Sequence, residues 1–204
     1  MRVPLRIAFD MDGTLADLGS AYADIEGQLF GAGDPDHERP APEAREAEQH
    51  RKSDARAGGK DERRGTDRHR RSRAAAGHLD RVWRAIESTP NFWTTLRPIE
   101  TGAVGRLHDL TCEHHWEVFF ITQRPATAGG TVQWQTHTWL VEHGFHTPSV
   151  IPLSGGRGKA ASALKLDYLV DNTPQNCVDV LSDSWTRAIL LVDPQDDVAR
   201  GSAR

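Results

Sequence analysis

The chain has 204 residues, 26% of them charged and 37% hydrophobic, with a formal net charge of −4. That length supplies one sizeable core with at most a small appendage, and the acidic balance argues against a nucleic-acid partner. Two cysteines, Cys112 and Cys177, are too few for a disulfide framework and point to a reducing, cytoplasmic setting. No window approaches 18 apolar residues, so no membrane-spanning helix is expected.

The chain opens on MRVPLRIAFDMDG. Its apolar run meets an acidic cluster within ten residues, so it reads as a first strand at 5–9 rather than a signal peptide. Two carboxylates, Asp10 and Asp12, leave this strand two residues apart, a spacing that puts both on one side. Gly13 then permits a turn that other residues resist. Close like charges call for a positive neighbour, and a hard cation such as Mg²⁺ suits carboxylate oxygens. One carboxylate can attack phosphorus. The other can protonate the leaving oxygen and then activate water. Taken alone, the same DxDG is also an ordinary acidic turn.

Between Phe30 and Leu79 the sequence contains no Val, Ile, Leu, Met, Phe, Trp, Tyr or Cys. Such a stretch buries too little apolar surface to offset its ordering entropy. A solvated insertion is therefore expected at about 31–77, with an exposed helix within PEAREAEQHRKSDARA. From Glu38 to Arg73 there are 12 basic residues against 8 acidic. The run RRGTDRHRRSR is either a solvated face or an arm that attracts polyanions. It lacks the interleaved aromatic residues that would stack on bases.

Beyond the insertion, helices are predicted at 101–114, 131–142, 159–164 and 174–181. Strands are predicted at 118–121, 150–153, 168–170 and 189–192. This alternation implies an α/β fold with a mostly parallel sheet, whose ligands collect beyond the carboxyl ends of the strands. Thr122 stands at such an end, where a hydroxyl and the following N–H groups can hold a phosphate oxygen. Lys159 follows SGGRG and opens a helix-like segment, placed to neutralise charge on a phosphate and on Asp10. The loop is no Walker motif, because Ala160 follows the lysine. Asp171 ends another strand. It either completes a metal site with Asp10 and a backbone carbonyl near Asp12 or caps the helix that follows. Trp134 and Trp139 read as packing residues. The ten histidines make no zinc pattern, and Ser154 lacks the context of a serine nucleophile.

Four motifs thus fall in order at four successive strand ends. In this the chain resembles the haloacid-dehalogenase-like (HAD) phosphatases, over most of 3–30 and 79–193. The resemblance implies a Rossmann-like parallel sheet with flanking helices and a small helical cap inserted after the first strand. The core would be 1–17 and 94–204, and the cap 18–93. It implies Asp10 as nucleophile, Asp12 as general acid and base, Thr122 as phosphate ligand and Lys159 as charge stabiliser. Asp10, Asp12 and Asp171 would hold Mg²⁺. The wording of DMDGTLAD, PNFWTTLRPIETGAVGRL, ITQRP and VDNTPQN is similar to the 5′(3′)-deoxyribonucleotidase-like branch. That likeness implies a substrate pocket near Asp17, Phe92, Trp93, Gln123 and Arg124. The expected activity is Mg²⁺-dependent hydrolysis of a small phosphomonoester, with a nucleoside monophosphate as the leading partner; a homodimer is compatible with it. Asn172 departs from the family, which often has a second acid there. This departure supports the other reading, a HAD-like binding or regulatory protein with little catalysis.

Overall fold

Five short apolar runs become five parallel strands: β1 (Arg6–Asp10), β2 (Glu117–Thr122), β3 (Ser149–Pro152), β4 (Tyr168–Asp171) and β5 (Arg187–Leu190). Among the described residues, six α-helices accompany them: α1 (Leu18–Phe30), α2 (Thr66–Ser88), α3 (Ala103–His114), α4 (Val132–Glu142), α5 (Arg157–Leu164) and α6 (Pro174–Asp183). The computed structural model describes residues 4–31 and 66–192, with 66–75 as backbone only. The PEAREAEQHRKSDARA segment and the first residues of the basic run lie outside the described residues. The rest of that run forms the start of α2, so the helix begins well before the first apolar residue of its stripe. No described helix is long and apolar enough to cross a membrane.

The strand order is β3-β2-β1-β4-β5. The chain therefore starts at the sheet centre, moves outward through β2 and β3, and returns to the other side of β1 with β4. Such a reversal of direction leaves a crevice at the carboxyl ends of the central strands. The parallel register places Phe9 level with both Phe120 and Val170.

Strand periodicity divides the core in two, since alternate side chains face opposite ways. Phe9, Val118, Phe120 and Val150 join one large cluster with Tyr22, Trp83, Trp93, Trp139 and Phe145. Ala8, Ile121 and Leu169 face the other way, against Ala161, Leu166 and Val180. Leu79, Val82, Trp83 and Ile86 make a stripe at helical spacing on α2. That stripe meets Leu18 and Tyr22 of α1 within the large cluster. The two helices expected as a cap thus share one apolar core with the sheet.

The strand expected at 189–192 is displaced, because β5 ends at Leu190. Its limits follow its pairing with β4, where Asp171 lies opposite Leu190. At a sheet edge an apolar run does not report burial: Ile189 and Leu190 are both exposed. Helix α5 begins at Arg157 rather than at 159, a shift that matters for the site.

Candidate active site

Asp10 ends β1 and Asp171 ends β4. Because Phe9 pairs with Val170, the two aspartates stand side by side on neighbouring strands. Each follows by two residues a member of the smaller cluster, Ala8 and Leu169, so both carboxylates project toward the face covered by α5 and α6. There they meet Arg157, the first residue of α5. Its Nε donates to Asp171 Oδ2 at 2.6 Å, and its Nη2 donates to Asp10 Oδ1. The arginine side chain is 1% exposed, so a single buried guanidinium bridges both carboxylates. Asp171 Oδ1 also accepts from the Thr173 N–H at 2.8 Å and from Asn176 Nδ2 at 3.2 Å. Asp171 therefore does not cap α6 directly; Thr173 occupies the cap position.

The loop glycines explain the aim of Arg157. A Cβ on Gly158 would lie 2.3 Å from the Asp179 carbonyl oxygen, and one on Gly156 2.7 Å from Asp179 Oδ2. The start of α5 therefore sits directly on α6, and the Gly158 N–H donates to Asp179 Oδ2 at 3.0 Å. With this contact fixed, the residue between the glycines points inward. Two residues further is about 200° around a helix, and Lys159 is exposed. Among the described residues it makes no ion pair with Asp10, Asp12 or Asp171. The structure brings Arg157, not Lys159, to the carboxylates. The two flanking glycines were the sequence signal for this, since they mark a close backbone approach.

Asp12 has a different partner. Arg124 Nε lies 3.0 and 2.9 Å from its two oxygens, and Nη2 lies 2.6 Å from Oδ1. Such a forked contact fixes geometry as well as charge. Arg124 is fixed in turn: Nη1 donates to Thr136 Oγ1 at 3.0 Å, and the guanidinium lies 4.7 Å over the Trp93 ring. Trp93 Nε1 donates to the Pro125 carbonyl at 3.0 Å, and the Trp93 N–H to Gln135 Oε1. Trp93 is 0% exposed. Its ring supports Arg124 and offers no open face to a base. Phe92 lies against it edge-on, at 5.0 Å between centroids.

The other expected residues are distributed as follows. Thr122 is buried at the end of β2, and its Oγ1 accepts from the Arg124 N–H at 3.3 Å. Gln123 Nε2 donates to the Gly155 carbonyl at 2.8 Å, tying this loop to the glycine loop before α5. Asp17 caps α1 by accepting from the Ser20 N–H at 2.9 Å. With Phe92, Asp24, Gln28 and Arg97 it lines a cavity of about 320 Å³ whose lining does not include Asp10, Asp12 or Asp171. Gly13 adopts a positive φ of 79°, and a Cβ there would lie 2.1 Å from Asn172 Nδ2. The turn after Asp12 and the residue after Asp171 therefore require each other.

The Mg²⁺ expected from the sequence would draw on Asp10, Asp12 and Asp171 as its donor set. As arranged it does not fit a divalent cation. Asp10 and Asp171 are engaged by Arg157, Asp12 by Arg124, and the described residues hold no group of three or more His, Cys, Asp or Glu able to bind a metal. The edge carries three carboxylates and two guanidiniums. Nearby, burial pushes the Cys177 thiol from its ordinary 9.0 up to about 11, with Asp171 adding to the shift and Arg157 reducing it.

No family model and no curated protein matches the sequence. Solved structures do match it. A haloacid-dehalogenase-like hydrolase from Streptococcus pneumoniae is similar at a TM-score of 0.52 and 12% identity, over 97% of this chain and 90% of that one. The chain has the HAD-like fold. A HAD-family hydrolase from Deinococcus radiodurans, solved with phosphate and sodium bound, scores 0.49 at 16% identity, over 99% of this chain and 89% of that one. The resemblance read from four motifs thus holds at the level of the HAD-like fold, with its parallel sheet and flanking helices. These likenesses do not single out the deoxyribonucleotidase branch.

Proposed function

We propose that this chain is a phosphatase-type hydrolase that cleaves a small phosphomonoester through an aspartyl-phosphate on Asp10. One observation carries the reading: Asp10 ends the central strand at the reversal point of the sheet, bound to a buried guanidinium, with Asp12 two residues on. Attack by the Asp10 carboxylate on phosphorus breaks the ester bond and leaves an acyl phosphate. Asp12 gives its proton to the departing alcohol, then takes one from the water that hydrolyses the intermediate. Arg157 offsets charge that develops on the phosphoryl oxygens, and Thr122 supplies a hydroxyl at the same edge. No step is assigned to Mg²⁺, because the carboxylates that would hold it are engaged by arginine. Among phosphomonoesters, nucleoside monophosphates come first on motif wording alone, since Trp93 gives no stacking surface.

The test is release of inorganic phosphate from an aryl phosphate, followed by a panel of nucleotides and sugar phosphates. Wild-type protein is expected to turn over, and Asp10→Asn to lose activity by orders of magnitude. Near-normal hydrolysis by a folded Asp10→Asn protein would refute the assignment.

A second reading, a HAD-like binding or regulatory protein with little catalysis, is favoured by one contact. The Asp12 carboxylate accepts hydrogen bonds from Arg124 through both oxygens, and a carboxylate in that role must be released before it can donate a proton. No phosphate release from any member of the panel would favour this reading.

A further inference from the structure

We infer that Arg157 and a divalent cation are alternative occupants of the same two carboxylates, so that the chain carries a built-in counter-ion that lowers its metal affinity. The inference rests on the phosphatase reading of this edge only for where to look. Its observations are geometric. Arg157 Nε sits 2.6 Å from Asp171 Oδ2 while Nη2 binds Asp10 Oδ1. Mg²⁺ would need these oxygens at about 2.0–2.1 Å in near-octahedral order. The guanidinium N–H groups stand in that approach. The second Asp171 oxygen faces the Thr173 N–H and Asn176 Nδ2, so it cannot serve instead without breaking those bonds. Asn172, at the same edge, brings no charge that would attract a cation past the arginine.

The arginine is also held from behind. Gly156 and Gly158 fix the start of α5 on Asp179, so Arg157 lacks the freedom of a surface side chain. Burial of two carboxylates around one guanidinium strongly penalises loss of any member. A metal ion binding here must therefore displace Arg157, and its apparent affinity falls by the cost of that displacement. Arginine suits the role better than lysine would, since its fork reaches two acceptors at once whereas an ammonium is a point charge.

The test is a titration of the whole chain with Mn²⁺, read by the loss of free-ion EPR signal, with no substrate present. Wild type is expected to bind Mn²⁺ only on the order of millimolar, and Arg157→Gln at least about tenfold more tightly, a factor equal to about 1.4 kcal/mol. Arg157→Lys keeps the charge and is expected to fall between them, and it carries the test if the glutamine variant does not fold. Micromolar binding by wild type, or unchanged affinity in the folded variants, overturns the inference. The two ideas fail separately. Absent turnover with the expected Mn²⁺ pattern removes only the phosphatase reading, whereas tight wild-type Mn²⁺ binding with good turnover removes only this inference.

Discussion

The two faces of the sheet are built to different plans. One buries a continuous cluster rich in large rings, including Trp83, Trp93, Trp139, Phe92, Phe120 and Phe145. The other has a smaller fully buried apolar cluster of six described residues, none aromatic, against α5 and α6. Small side chains and the glycines of the α5 loop let those two helices approach each other closely. Into that thinner face the strands project Asp10 and Asp171, with Arg157 between them. Asp12, by contrast, is held by an arginine that rests on Trp93 of the aromatic face. The comparison separates two tasks. The thick face holds the fold together, and the thin face is where buried charge can be matched by charge.

Four kinds of measurement test that division. The largest effect expected is on chemistry: Asp10→Asn should reduce phosphate release by about a thousandfold or more. Its denaturation midpoint should fall as well, because the buried Arg157 loses a charged partner, but the protein that stays folded should still be inactive. On the thick face, stability should carry the whole effect. Trp139 is fully buried, and its Nε1 donates to the Leu96 carbonyl at 2.7 Å. Trp139→Ala should cost about 3–5 kcal/mol in chemical denaturation. A variant that lost activity with no loss of stability would break the assignment of that face to the fold.

A smaller effect is expected where the faces meet the loop. Gly158→Ala places a methyl 2.3 Å from the Asp179 carbonyl oxygen. It should destabilise by about 1–3 kcal/mol through overpacking, and should also reduce activity by moving Arg157. Gly155→Ala in the same loop meets no neighbouring atom and is the control. The mildest effect is on pH dependence. Burial raises the Cys177 thiol from 9.0 to about 11. Burial first, and then Glu26, raises the Tyr22 hydroxyl from 10.0 to about 12. Both folded values exceed the unfolded ones, so this stability is present below about pH 9 and declines as pH rises toward 12. Denaturation midpoints at pH 8 and pH 11 should show the fall. Cys177→Ala should remove the thin-face share and Tyr22→Phe the thick-face share.

Much of this architecture could be read from the chain because its strands are short apolar runs and its helices have ordinary signals. Thr131 caps α4 by accepting from the Trp134 N–H, and Pro174 opens α6. Where pairing rather than composition sets the limits, as in β5, the reading slipped by two residues. The site was legible as a set of strand ends, because register brings Asp10 and Asp171 together whatever their side chains do. The cation that meets the carboxylates is Arg157 rather than the expected Lys159, for a local reason. Lysine drew the assignment to 159, while helical phase and the pressure of Gly158 against α6 turn position 157 inward. Trp93, expected beside a substrate, is buried and supports Arg124, since a motif does not reveal which side of a ring is covered. Nothing in the spacing announced that both arginines would grip the acids.

The central position of β1 also has a consequence for how the chain is made. A ribosome releases Asp10 well before its first sheet neighbour, Ile121, which is synthesised 111 residues later, and Asp171 comes later still. Until then the nascent chain holds an unpaired apolar strand that ends in an acid, with no ladder to join. Parallel pairings between such distant segments form slowly, so the sheet edge that joins Asp10 to Asp171 forms late among the described elements.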